Sequence, residues 1–260
     1  MTMESNTESM PEGEALKPKD FFSRLAGTYF APRETFREIG ISPKVLIPLI
    51  ALILISALVG FYMSRNLDME SMMAEPLKQA VADGRMTQEQ MERQLTWITK
   101  FADVQMIVGA PLMGVLMTLV IAAVFKLISS LINVENKFKS LFAVTLYAMI
   151  AVSIIQSGLL ILVLYLKGPG EVDLSNVNSV VASNLGAVLS AILGEDALPE
   201  FFMKLAGYID IFAIWIIALL SIGYAAVSRK LKTSRAAFWL GTAYAVIAVI
   251  GAAISSAFGS

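Results

Sequence analysis

Cysteine is missing from this 260-residue chain, and so is histidine. Without thiols there is no disulfide, no thiolate metal site and no cysteine nucleophile. Without imidazole, the commonest general base and transition-metal ligand is gone, which removes zinc enzymes and serine–histidine triads from consideration. Charge is scarce as well: 16% of the residues are charged, against roughly 25% in ordinary soluble domains. The net charge of −1 offers no basic face to a phosphate backbone, so nucleic acid is excluded as a partner. Apolar residues are what the chain has in excess, at 57%. That excess marks a membrane protein.

Residues 1–19, MTMESNTESMPEGEALKPK, hold Glu4, Glu8, Glu12 and Glu14 and no apolar period, and read as a disordered acidic tail. The first apolar run begins only at Val45, too late for a cleaved secretory signal, so the first span is expected to serve as its own insertion signal. Uncharged apolar runs of about 20 residues, the length that crosses a hydrocarbon core, occupy Val45 to Met63, Met106 to Phe125, Leu141 to Leu166, Ile211 to Val227 and Ala236 to Phe258. A weaker stretch, Leu174 to Gly194, is diluted by Asn176, Asn178, Asn184 and serines.

Charge placement decides whether that stretch crosses. The loop SRKLKTSRA carries Arg229, Lys230, Lys232 and Arg235 without an acid, which marks it as cytoplasmic. With five spans, and with Lys126 snorkelling to the same side, the tail, the 133–140 loop and this loop share a side rich in Lys and Arg, while acids dominate the other. A sixth span would throw the basic loop outside. The expectation is therefore five spans in the cell membrane, which is the inner membrane if the cell is Gram-negative, with the N-terminus cytoplasmic and the C-terminus external. Residues 171–205 form an external or interfacial helical segment, with 174–194 either lying at the outer interface or dipping into it.

Between spans one and two, residues 64–103 are expected to form an external helical hairpin. Met73, Leu77 and Val81 recur at i, i+4, i+8 before Gly84, and TQEQ from Thr87 to Gln90 has the spacing of a capping box that starts a second helix. Met91, Leu95 and Ile98 share a face of that helix, so the hairpin needs an apolar surface to cover, expected around Val181, Leu185 and Val188.

Before the first span, FFSRLAGTYFAPRETFREIG places Phe22, Leu25, Ala26 and Tyr29 near one helical stripe, and Pro32 suits the first turn of a second short helix bearing Phe36 and Ile39. Such a pair is expected to lie on the membrane rather than across it. Phe22, Tyr29 and Phe36 would face lipid. Arg24, Arg33 and Arg37 would meet anionic headgroups or a protein partner at the cytoplasmic surface. The plain alternative is a packing element that anchors span one.

The runs RLAGTYFAPRETFREI followed by SPKVLIPLI, FKSLFAVTLYAMIAVSII from Phe138 and YIDIFAIWIIALLSIGYAA from Tyr208 resemble the bacterial branch of the Yip family, over about residues 20–258. The family is named for eukaryotic members that interact with Rab-type GTPases. Ala31 stands where members usually carry a serine before the proline. The resemblance implies five spans and a cytoplasmic N-terminus. It also implies a non-enzymatic role in membrane organisation or protein docking, without a cofactor.

Few polar groups lie within the spans, where ionisable residues are costly and become functional candidates. Lys126 sits near the cytoplasmic end of span two, where snorkelling explains it. Asp210 stands at the start of span four, where a helix N-terminus favours a carboxylate. Gln156 is the most central polar group of span three, placed for interhelical hydrogen bonding. A polar stripe joining Gln156 to Asp210 would instead favour a small transporter, channel or lipid-handling protein. Ser56 with Gly60, Gly241 with Ala245 and Gly251 with Ser255 allow close helix approach. The fold class expected is all-α: a polytopic membrane bundle with five transmembrane helices, an N-terminal interfacial amphipathic helix pair and the external hairpin. Membrane lipids are its expected partners, with a protein at the N-terminal helices, and homo-oligomerisation is left open.

Overall fold

The computed structural model describes residues 20–67, 69–167, 181, 183–194 and 198–258. The acidic tail, most of the 168–182 stretch and Glu195–Ala197 fall outside the described residues. Every element is helical: α1 (Phe21–Phe30), α2 (Pro32–Ile41), α3 (Leu46–Asn66), α4 (Met69–Ala82), α5 (Gln88–Val104), a π-helical turn (Gln105–Gly109), α6 (Ala110–Leu131), α7 (Phe138–Lys167), α8 (Leu185–Leu193), α9 (Glu200–Gly207), α10 (Ile211–Val227) and α11 (Thr233–Phe258). Among the described residues the only β-pairing is an isolated antiparallel bridge between Asn184 and Asp210.

Among the described residues, four helices are long and apolar enough to cross a membrane: α3, the continuous α5–α6 rod, α7 and α11. The fifth apolar helix, α10, has 17 residues, about 25 Å at 1.5 Å per residue. The rod runs unbroken from Gln88 to Leu131, 44 residues, or about 66 Å. A span needs about 30 Å of that length. The remainder is the second arm of the 64–103 hairpin, so this arm is an extension of the second span and not a separate element resting on the surface.

The hairpin closes by local chemistry. The Arg85 N–H donates to the Ala80 carbonyl and the Gly84 N–H to Val81, ending α4 with Gly84 at φ +71°. Thr87 and Gln90 then complete a reciprocal capping box on α5. At the base, α3 crosses the π-helical turn at Gly60, where any Cβ would overlap the Met106 carbonyl. The small residue permits backbone contact there. Helix α8, near which the sequence placed the hairpin's cover, packs instead mainly on α9. Val181 does reach the cluster of Met63, Leu160 and Leu164 at the hairpin's base.

The core is built around the first half of α7. Leu141, Ala143, Val144, Leu146, Tyr147, Ala148, Ile150 and Ala151 are all buried, because α1, α2, α3, α6 and α10 surround that half on every side. The Tyr224 ring of α10 lies 4.1 Å from Phe125 of α6, and its hydroxyl bonds Thr145 at 2.6 Å. The outward faces of α3, α6, α10 and α11 keep large apolar side chains exposed, among them Leu58, Leu116, Ile214 and Ile250. In a membrane those faces meet acyl chains.

The 132–137 and 228–232 loops meet at one end of this bundle. Lys126 donates to the Asn136 carbonyl at 2.8 Å, Asn136 donates to Ser228 at 3.3 Å, and the Arg229 N–H donates to the Glu135 carbonyl at 3.0 Å. Gly40, at the end of α2, accepts from Ser140 at the same end.

Candidate functional sites

The N-terminal pair forms the first site. Asp20 caps α1 by accepting from the Ser23 N–H at 2.7 Å, and that bond holds its carboxyl below the ordinary aspartate range. Pro32, at the first position of α2, fixes the turn. Arg24 folds inward and is 0% exposed. Its Nε donates to Glu38 at 3.3 Å and its Nη1 to the Ser42 carbonyl at 3.0 Å, so one guanidinium ties α1 to both the body and the exit of α2. A fork of donors can do this where a single ammonium could not.

The pair is then fixed to the bundle. Phe36, also 0% exposed, packs between Val144 and Gly223, and a Cβ at Gly223 would overlap those side chains. Gly40 meets Val227 four residues further along both helices, so α2 runs alongside α10 in the same direction. On α1, the Tyr29 hydroxyl donates to the Ala151 carbonyl at 2.7 Å, close to the midpoint of α7, and its ring lies 6.1 Å from Trp215. The pair thus lies along the bundle wall instead of flat across its end. The acceptors at Nε and Nη1 offset part of the cost of burying Arg24, while its Nη2 is buried without a hydrogen-bond partner.

Of the six residues proposed from sequence for docking, three are turned inward: Arg24, Tyr29 and Phe36. Three remain outside. Phe22 is 76% exposed, and Arg33 and Arg37 are exposed on α2. Phe30, 88% exposed, and Ile41 join them. Sequence reasoning missed Glu38 as the partner of Arg24, since a 14-residue separation has no helical signature until the two helices fold on each other.

The second site lies at the opposite end, where α7, α9, α10 and α11 leave a cavity of about 530 Å³. Gln156 and Asp210 both line it. Asp210 caps α10: Oδ1 accepts from the Phe212 and Ala213 N–H groups at 2.7 and 3.1 Å, and Oδ2 accepts from Ser183. Asn184 caps α8 across the antiparallel bridge. Lys204, Tyr208 and Tyr244 complete the polar lining, with the Tyr244 hydroxyl donating to the Tyr208 carbonyl at 2.7 Å. The Tyr208 ring rests on Gly251. Lys126, the third intramembrane candidate, is far from this group, holding Asn136 at the other end. Among the described residues no three acidic side chains converge to hold a metal ion.

An all-helical bundle with several apolar helices of membrane-crossing length, large apolar side chains facing outward and its polar groups turned inward is a multi-pass membrane protein. Residues 26–255 match the family model of the Yip1 domain. The chain belongs to that family. Comparison with curated proteins and with solved structures gives no significant match. Nothing in the family match or in the described sites points to an enzyme.

Proposed function

We propose that this protein is a non-enzymatic member of the Yip1 domain family that organises membranes by docking a protein partner on its N-terminal helix pair. The reading rests chiefly on the way buried Arg24 and Phe36 fix the pair. A strip of Arg33, Glu34 and Arg37, flanked by Phe22, Phe30 and Ile41, is held outward in one orientation. A preorganised strip loses little entropy on binding. Its mixture of cations and aromatics is the composition that protein interfaces favour.

The same reading takes five spans, with the N-terminus, the Gly40 end of the pair and both basic loops on the cytoplasmic side and the C-terminus outside. The meeting of the 132–137 loop, the 228–232 loop and Gly40 at one end supports it, together with the basic charge of that end.

Reversing the charges with Arg33→Glu and Arg37→Glu should abolish co-purification of the partner while the unfolding midpoint in detergent stays at the parental value. Retention of every co-purifying protein would remove the docking role. In intact cells an impermeant thiol reagent should label a cysteine placed at Ser260 and not one placed at Ser234. Equal labelling would break the five-span topology.

A further inference from the structure

The cavity at the end away from the N-terminal pair has no part in the docking reading. Its lining is layered along the helices. Helices α7 and α11 run towards this end and α10 runs away from it, so Met149, Val152 and Ile216 form the deeper layer, while Gln156, Asp210 and Lys204 stand nearer the mouth. At 530 Å³ it falls within the range of about 300–1,000 Å³ typical of small-ligand sites.

Several polar groups there have unused capacity. Among the described residues the Gln156 amide and the Tyr208 hydroxyl make no hydrogen bond within the protein. Asp210 accepts three bonds, against a carboxylate capacity of about four. Lys204 has only a loose contact with Glu200, at 3.9 Å. Among the described residues, one cation and one carboxylate therefore line a single cavity beside an idle amide and hydroxyl. On the outer faces of the helices that wall the cavity, Ile211 and Ile214 of α10, Ile250 and Ile254 of α11 and Phe202 of α9 are exposed apolar side chains, so the cavity sits in the part of the bundle that acyl chains surround.

We infer that the cavity binds the headgroup of an amine-bearing zwitterionic phospholipid, with its acyl chains leaving the mouth for the surrounding bilayer. The ammonium donates to the free position on Asp210 and to the Gln156 carbonyl, and the phosphate accepts from Lys204 and the Tyr208 hydroxyl. A dipolar headgroup satisfies both charges at once. An anionic headgroup would leave Asp210 and Glu200 opposed, and a trimethylated amine has no proton to donate to either acceptor. This site does not depend on the docking strip.

The test uses the full chain, delipidated in mild detergent, and follows its unfolding midpoint as phosphatidylethanolamine, phosphatidylcholine or phosphatidylglycerol of matched chains is added. Water-soluble phosphoethanolamine forms a fourth arm. Phosphatidylethanolamine should stabilise most, and Gln156→Leu and Lys204→Met should each weaken its apparent affinity about tenfold. Lys204 lies at an exposed position, so its variant reports binding even if the Gln156 change perturbs packing. Equal stabilisation by all three lipids, or parental affinity in both variants, would overturn the inference. So would an equal response to free phosphoethanolamine, which would make the ligand a soluble amine phosphate.

Discussion

The two ends of the bundle are built from the same helices and solve the same packing problem differently. Towards the basic loops, α7 and α10 touch through Thr145 and Tyr224 and the N-terminal pair fills the side of that contact, so the interior is closely packed and contains a fully buried arginine. Towards the opposite end no described element fills the gap, and a cavity lined by Gln156, Lys204 and Asp210 remains. The difference shows that polarity alone does not make a site. Arg24 is the more strongly charged group, yet it is sealed inside the bundle with Nε and Nη1 taken by Glu38 and the Ser42 carbonyl, whereas the neutral Gln156 opens on a cavity that a ligand can enter.

Removing the filler should have the largest effect. A chain starting at Ile41 loses Phe36 and Ile39 from the core, where truncating one buried phenylalanine alone costs about 3–5 kcal/mol. It should aggregate or elute as a broad peak in detergent size-exclusion chromatography. A monodisperse peak with the parental unfolding midpoint would mean that the pair is a surface attachment and that the two ends are built alike.

A smaller loss is expected from Arg24→Lys. The ammonium cannot hold Glu38 and the Ser42 carbonyl in the fork that the guanidinium provides, and stability should fall by on the order of 2 kcal/mol. Thermal unfolding measures it, and an unchanged midpoint would show that the inward arginine contributes nothing beyond its packing.

The finest comparison sets one residue of α7 against another. Thr145, fully buried at the closely packed end, should tolerate Leu poorly, at about 1–3 kcal/mol, because no neighbour can yield. Ser153, which lines the cavity, should accept Leu within about 0.5 kcal/mol. Equal costs at the two positions, read from unfolding midpoints, would mean the cavity gives no room to a side chain.

Local signals were the legible part of this fold. The apolar runs reappear as helices, and the caps at Thr87 and Asp210 sit where short-range side-chain spacing places them. The placement of the N-terminal pair was less legible. Phe22 and Phe36 look equivalent in an amphipathic pattern, yet one is 76% exposed and the other 0%. Arg24 sits off the apolar stripe like Arg33 and Arg37, and nothing local to it announces that Glu38 will cover it.

The sequence by itself determined that this is a helical membrane protein, where its long apolar helices run and which loops are basic, because hydrocarbon thickness and backbone hydrogen bonding leave a chain of this composition few alternatives. Tertiary structure alone decided which apolar faces meet protein and which face outward, that α2 runs along α10, and that Gln156 and Asp210 share a cavity. An apolar side chain is satisfied equally by lipid and by a neighbouring helix, so hydrophobic pattern cannot distinguish the two. Only the close contacts allowed by Gly60 and Gly223, and the acceptors that gather around Arg24, select one arrangement.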